Sequence, residues 1–298
     1  MSCCEMIAGN AIINGNISAG NIGIFRNRII NGDMRINQRG YANSNFTGSI
    51  GTSVYDRYYI ENLNVNTNSI VNIAQNTLTS SDTPYQLGFK NSLKITINGV
   101  DSGATSRWFG GLGQNIEGYN ISDFSLGTTY SSPFTVSTWV RSSMSTGSTV
   151  TIAVRTLSSG GTSYTYLTNA TVAGSNNWQY LQMTVPPLVI SGTIATTSNS
   201  ALQLFIAPSV VNGGATNITN SWIGNATYVS PTTTNWANKV GNWVEFTGVQ
   251  LEKGTIATPF EFRPYARELK LCQRYYWQQV NTFFVSALSA TNTTPRYG

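Results

Sequence analysis

The sequence predicts an all-β fold, a two-sheet β-sandwich closed by one short C-terminal helix. Three observations lead there. Short runs with period-two alternation recur along the chain between Gly, Ser and Asn turns, and no helical pattern is interposed. Charged residues make up only 10% of the 298, against about 25% in ordinary domains, and Gly, Ser, Thr and Asn take their place. The period changes once, after Pro264, where Leu269, Cys272, Tyr275 and Tyr276 recur at three- and four-residue spacing and so share one helix face.

In chain order, residues 1–25 are rich in Gly, Asn and Ile, which fits an extended arm lying on a neighbouring subunit, or a disordered terminus. Ile29 to Ile36 alternates around the Asn31-Gly32 turn signal and reads as a first strand region. Arg57 to Leu63, Ser69 to Ala74, Tyr85 to Phe89 and Ser92 to Ile97 follow as strands. Gln114 to Tyr119 comes next, then Phe134 to Arg141, in which Phe134, Val136, Thr138 and Val140 oppose Thr135, Ser137 and Trp139. Val150 to Arg155, Tyr164 to Leu167, Trp178 to Val185, Leu202 to Ala207 and Val244 to Leu251 complete the set. Pro186-Pro187 ends the Trp178 strand, since neither ring nitrogen can donate to a ladder. Val210 to Ala237 reads as long Asn/Thr/Gly-rich loops, with Ser221-Trp222-Ile223 as a short strand. Pro264 sits in the first turn of the closing helix, and residues 278–298 read as a tail.

Two segments also carry a resemblance. The first is Asn27-Arg28-Ile29-Ile30-Asn31-Gly32-Asp33-Met34-Arg35-Ile36-Asn37-Gln38-Arg39-Gly40, with Asp56-Arg57-Tyr58 after it. The second is Gly248-Val249-Gln250-Leu251-Glu252-Lys253-Gly254, then Ala257-Thr258-Pro259-Phe260-Glu261, Arg263-Pro264 and Leu271-Cys272-Gln273-Arg274-Tyr275-Tyr276. Together they resemble the opening and closing signatures of a β-sandwich module found in phage tail-fibre-type proteins and in structural proteins of large double-stranded DNA viruses. That module is similar to carbohydrate-binding modules. The resemblance covers residues 26–277 and implies a jelly roll in a virion, with other capsid or fibre subunits as partners and a homo-oligomer as one arrangement. Chains of that family commonly run on past the Cys272–Tyr276 stretch, so a truncated or unusually short member is one expectation.

Composition narrows the function. Between Tyr41 and Leu251 seven Lys/Arg balance seven Asp/Glu, and the net charge of +5 comes from arginines in the two signature segments. A nucleic-acid binder gathers its cations on one working surface; here structural pairing with Glu61, Glu261 or Glu268 is the simpler reading, and no nucleic-acid partner is expected. Cys3, Cys4 and Cys272 make neither a disulfide framework nor a spaced metal site, and Cys272 reads as a buried small hydrophobe. No apolar run approaches the length of a membrane span.

Histidine is absent, which removes Ser-His-Asp, Cys-His and His-based zinc chemistry. Two carboxylates would suffice for a glycosidase, but the acids fall in turns or signature segments, and the chain reads as non-enzymatic. Sugar binding needs aromatic faces and amide side chains. Trp108, Trp222 and Trp236 lie in loop-like settings and are the candidates, followed by Tyr164 and Tyr166 on one strand face; Trp139 and Trp178 lie in strands as core anchors or ligand contacts. No cofactor is expected. Carbohydrate-binding jelly rolls often hold a structural calcium ion, and Asn31, Asp33 and Glu252 are the oxygen donors on offer. The leading expectation is a virion structural protein. Attachment to host surface glycans is the alternative, and a polysaccharide depolymerase the third.

Overall fold

The computed structural model describes residues 5–7, 10–12, 25–40, 44–47, 52–63, 70–100, 108–157, 161–174, 176–190, 194–207, 209–210, 220–225 and 229–278. Within the expected arm, β1 (Glu5–Ile7) and β2 (Asn10–Ile12) pair as an antiparallel hairpin rather than running as one extended strand. The rest of the arm up to residue 24 and the tail from residue 279 lie outside the described residues.

The strands that follow are β3 (Ser44–Thr47), β4 (Thr52–Tyr55), β5 (Tyr58–Leu63), β6 (Ile70–Thr77), β7 (Asn91–Gly99), β8 (Trp108–Glu117), β9 (Phe134–Ser142) and β10 (Thr149–Thr156). After them come β11 (Tyr164–Thr171), β12 (Gln179–Val185), β13 (Ser200–Ile206), β14 (Ser209–Val210), β15 (Ile223–Gly224) and β16 (Trp243–Lys253). They form two antiparallel sheets packed face to face as a jelly-roll sandwich. One sheet has the order β12-β9-β16-β7-β6-β3; the other runs β15-β11-β10-β13-β8-β5-β4, with β14 added to β8.

The core follows from alternation. Phe134, Val136 and Val140 of β9, Leu93, Ile95 and Ile97 of β7, and Val244, Phe246 and Leu251 of β16 meet Val150, Ile152 and Val154 of β10 and Leu202, Leu204 and Ile206 of β13. All are buried, and each such side chain contributes roughly 1.5–3 kcal/mol.

β16 organises the six-stranded sheet. It pairs with β7 only through Trp243–Phe246, while its other edge follows β9 to Lys253 across a bulge between Thr247 and Gln250. Past Phe246 the opening segment takes over the vacated edge. The Val249 amide donates to the Gly32 carbonyl at 2.9 Å, the Arg28 amide to the Leu251 carbonyl at 2.8 Å, and the Asn27 side chain bonds Val249 and Leu251. The backbones approach so closely that a Cβ on Gly32 would collide with the Val249 carbonyl oxygen.

The expected strand over Ile29–Ile36 is therefore corrected to an irregular turn segment. Asn31 and Met34 adopt positive φ, 61° and 57°. The Asn31 side chain replaces a strand partner, accepting the Ile36 amide at 2.9 Å and donating to its carbonyl at 2.8 Å. The expected strand over Tyr85–Phe89 is likewise a single-turn helix, α1 (Thr83–Gln86), followed by loop. Pro84 sits in its first turn, and the Asp82 carboxylate holds the preceding turn through the Thr79 amide at 2.8 Å.

The closing helix is α2 (Tyr265–Gln273). Cys272 is buried, as expected, and packs with Leu269 on Ile30 and Ile36. Tyr275 and Tyr276 lie past its end and receive the guanidinium groups of Arg57 and Arg39 on their rings, at 3.3 and 3.8 Å. Arg263 joins everything. Its guanidinium reaches Glu268 at 3.1 Å, Glu261 at 3.4 Å and the carbonyls of Asn27 and Ile29. Glu268 and Glu261 in turn accept the amides of Asn31, Phe25 and Asn27. Structural pairing of the arginines with Glu261 and Glu268 is thus observed, while the Glu61 side chain lies outside the described residues.

Arg263 and Glu268 are both buried, so removing one leaves the other uncompensated. Arg263→Met is expected to lower unfolding free energy in denaturant titration by about 3–5 kcal/mol, and pairing it with Glu268→Met to recover part of that loss.

Candidate functional site

The outward face of the six-stranded sheet carries the site. On β9 the phase opposite the core presents Ser137, Trp139 and Arg141, and on β12 it presents Tyr180 while Leu181, Met183 and Val185 turn inward. Trp139 and Tyr180 stand directly opposite in the β9–β12 register, ring centroids 5.4 Å apart and planes inclined by 48°. Two segments wall this pair. Leu87 and Phe89 come from the loop after α1, and Ala257, Thr258, Pro259, Phe260 and Phe262 from the turn after β16. Phe89, Phe260 and Phe262 meet as a triangle with centroids 4.9–5.0 Å apart. The result is an open cleft of about 720 Å³, within the usual range of ligand sites.

Gly248 keeps the floor clear. It has φ 64°, and a Cβ there would lie 2.8 Å from the Phe89 ring and 3.3 Å from Trp139. Apolar surface stays open to solvent: Tyr180 is 40%, Phe262 46% and Leu87 53% exposed. A grouped apolar exposure of this kind is the signature of an interaction site.

A polar network beside the cleft fixes the first wall. Asp82 accepts the Trp178 indole N–H and an Arg141 N–H, both at 2.9 Å, and the same arginine holds the buried Glu245 carboxylate at 2.9 Å. Glu245 also accepts the Ser92 hydroxyl and the Asn76 amide. Trp178 is thereby a structural donor, with the Arg141 guanidinium over its ring at 4.6 Å. Burial alone would raise the Asp82 pKa; the Thr79 amide, Trp178, the Thr79 hydroxyl and Arg141 outweigh it and hold the carboxyl below its ordinary value.

The sequence-derived aromatic candidates lie elsewhere in the structure. Trp236 is fully buried in the core, its indole N–H donating to the Ala207 carbonyl at 3.2 Å. Tyr166 is buried as well. Trp222 packs between Phe134 and Tyr166 and donates to the Pro186 carbonyl at 2.9 Å. Tyr164 is half-buried against the same core. None of these four lines the cleft. Trp236 thus belongs to the core, and Trp222 packs against it. The side chain of Trp108 lies outside the described residues.

The oxygen donors proposed for a cation are engaged in other ways. Arg35 stands 2.6 Å from Asp33, whose carboxyl burial pushes above the ordinary range against that arginine's pull. Glu252 accepts the Thr258 amide at 2.8 Å and hydroxyl at 2.6 Å, with Arg26 at 3.4 Å. Asn31 spends its amide on Ile36 and Asp56. Among the described residues no three of His, Cys, Asp or Glu gather where they could hold a metal ion.

Sequence reasoning placed Trp139 on the phase opposite Phe134 and Val136 without singling it out as a ligand contact. Tyr180, Phe89, Phe260 and Phe262 were missed. The available signal was one large aromatic on the otherwise polar phase of each of two strands, β9 and β12.

No family model matches the chain, and no curated protein matches it. Solved structures do. A family 11 carbohydrate-binding module of a Clostridium thermocellum cellulosomal cellulase matches at TM-score 0.33 and 11% identity, over 72% of this chain and 97% of that one. A xylan-binding domain of Paenibacillus barcinonensis matches at TM-score 0.34 and 11% identity, over 72% and 95%. The enzymatically active domain of a bacteriophage CBA120 tailspike matches at TM-score 0.37 and 12% identity; this chain is covered over 77% but spans only 22% of the tailspike chain. Among the described residues no helix is long and apolar enough to cross a membrane.

Two outcomes follow from these positions. Trp236→Ala is expected to cost about 3–5 kcal/mol of stability, as a fully buried aromatic does, and Trp139→Ala clearly less, both read by denaturant unfolding. A depressed folded pKa means that Asp82 stabilises the fold above its unfolded value of 3.8 and ceases to as pH falls through the lower folded value. The stability gap between the native chain and Asp82→Asn should therefore be present at neutral pH and shrink as pH falls from the unfolded value of 3.8 through the lower folded one.

Proposed function

We propose that this chain is a non-enzymatic virion component whose sandwich binds host surface glycans through the cleft over Trp139 and Tyr180. The cleft carries the proposal. Two adjacent aromatic faces on a rigid sheet suit the apolar face of a pyranose ring, and the raised walls supply the enclosure that flat sheet surfaces lack.

Binding is favoured over cleavage by the lining. A glycosidase flanks its bond with two carboxyl groups, whereas the residues around this cleft are Leu, Phe, Trp, Tyr, Pro, Ala, Gly, Ser, Thr and Gln. The nearest acids are already committed, Asp82 to Arg141 and Trp178, Glu252 to Thr258 and Arg26. The virion setting rests on the resemblance of residues 26–40 and 248–276 to the module of phage fibres and large DNA viruses. Residues 1–25 and 278–298 are where we place attachment to neighbouring capsid or fibre subunits, with a homo-oligomer as the assembled form.

A glycan array with the intact chain tests this. Binding to one glycan class is expected, weakened at least tenfold by Trp139→Ala or Tyr180→Ala, since each removes roughly 0.5–1.5 kcal/mol of ring contact beyond its apolar burial. Trp222→Ala should keep its affinity in whatever fraction stays folded. A blank array on folded protein would leave a purely structural place in the virion as the better reading.

A further inference from the structure

The polar groups of the cleft restrict its occupant further than glycan binding alone. Gln250, the one amide in the lining, is spent within the protein. Its Nε2 donates to Glu252 at 2.8 Å and to the Thr258 carbonyl at 3.1 Å, and its Oε1 accepts the Glu261 amide at 2.9 Å. The Thr258 hydroxyl is committed to Glu252 at 2.6 Å. Ser137 and Tyr180 add two hydroxyl-bearing side chains to the lining. Among the described lining residues, the side-chain polar groups not committed elsewhere are the indole N–H of Trp139 and the hydroxyls of Ser137 and Tyr180. Among the described residues no lysine, arginine, aspartate or glutamate lines the cleft, while Leu87, Phe89, Phe260 and Phe262 form its walls.

A fully hydroxylated sugar carries more hydroxyl groups than these three can pair, and any turned toward the Leu87, Phe89, Phe260 and Phe262 walls would be buried with nothing to bond, which costs more than the bonds would have gained. A uronic acid would bury a charge with no counter-ion. A methyl group against the Phe262 and Leu87 walls gains apolar burial without losing hydrogen bonds. Resting on the glycan reading above, we propose that the cleft selects neutral glycans that carry methyl groups, as the C6 methyl of a 6-deoxyhexose or as the methyl of an O-acetyl ester.

The test is an array of matched pairs, read before and after mild alkali, which removes O-acetyl esters and leaves 6-deoxyhexoses untouched. Methyl-bearing glycans should bind at least about tenfold more tightly than their hydroxylated counterparts. Loss of binding after alkali identifies the ester as the source, and retained binding to 6-deoxyhexose members identifies the C6 methyl. Phe262→Ala, at a wall position exposed enough to leave folding intact, should shrink that preference more than it lowers binding to the plain glycan. Equal binding of hydroxylated or uronic-acid members, lost in Trp139→Ala, would overturn the selectivity and leave the glycan site standing. No binding to any member would overturn both.

Discussion

The structure depends on how the free half of β16 is satisfied. A central strand buried on both faces cannot leave a row of donors and acceptors unpaired, and β7 departs after Phe246. The opening segment fills that edge, although positive φ at Asn31 and Met34 keeps it from being a strand. Arg263 fixes it there, bridging two glutamates and two backbone carbonyls in a buried site. A buried guanidinium is stable only when nearly all of its donors are used, so the two ends of the module must close together. That requirement explains why a chain with few charges gathers most of its arginines, with Glu252, Glu261 and Glu268, in two short segments.

The same strand sets the cleft. Its bulge places Gly248 under Phe89 and Trp139, and Gln250 and Glu252 hold the turn that carries Phe260 and Phe262. On the other side Asp82, Arg141 and Glu245 anchor the loop bearing Leu87 and Phe89. Polar groups buried in fully satisfied networks make stiff supports. Stiff walls leave a ligand little ordering to do on binding, which is how a site built mostly of apolar contacts gains affinity without many hydrogen bonds.

Much of the fold could be read in the sequence because alternation and burial report the same thing. β7, β9, β12 and β16 were visible from Leu93-Ile95-Ile97 or Phe134-Val136-Val140 patterns, and α2 from the change of period after Pro264. Two segments were misread where side chains compete with the backbone for its hydrogen bonds, at Asn31 and at Asp82 with Pro84. The site was harder. Trp222 and Trp236 sit in Asn/Thr-rich sequence, where polarity suggests exposure, yet Trp236 is fully buried in the core and Trp222 packs against it. Trp139 carried a readable phase, but only the pairing of β9 with β12 brings Tyr180 beside it, and partner strands cannot be inferred from either run alone.

The central claim is that ligand binds over Trp139 and Tyr180, and a crystal structure of the chain with its tightest array-selected oligosaccharide tests it most directly. The account predicts a sugar ring on the Trp139–Tyr180 pair with its apolar edge toward Phe262 and Leu87. A sugar seated elsewhere, for instance beside the exposed ring of Tyr130 at the end of the sandwich, with the cleft empty, would contradict it.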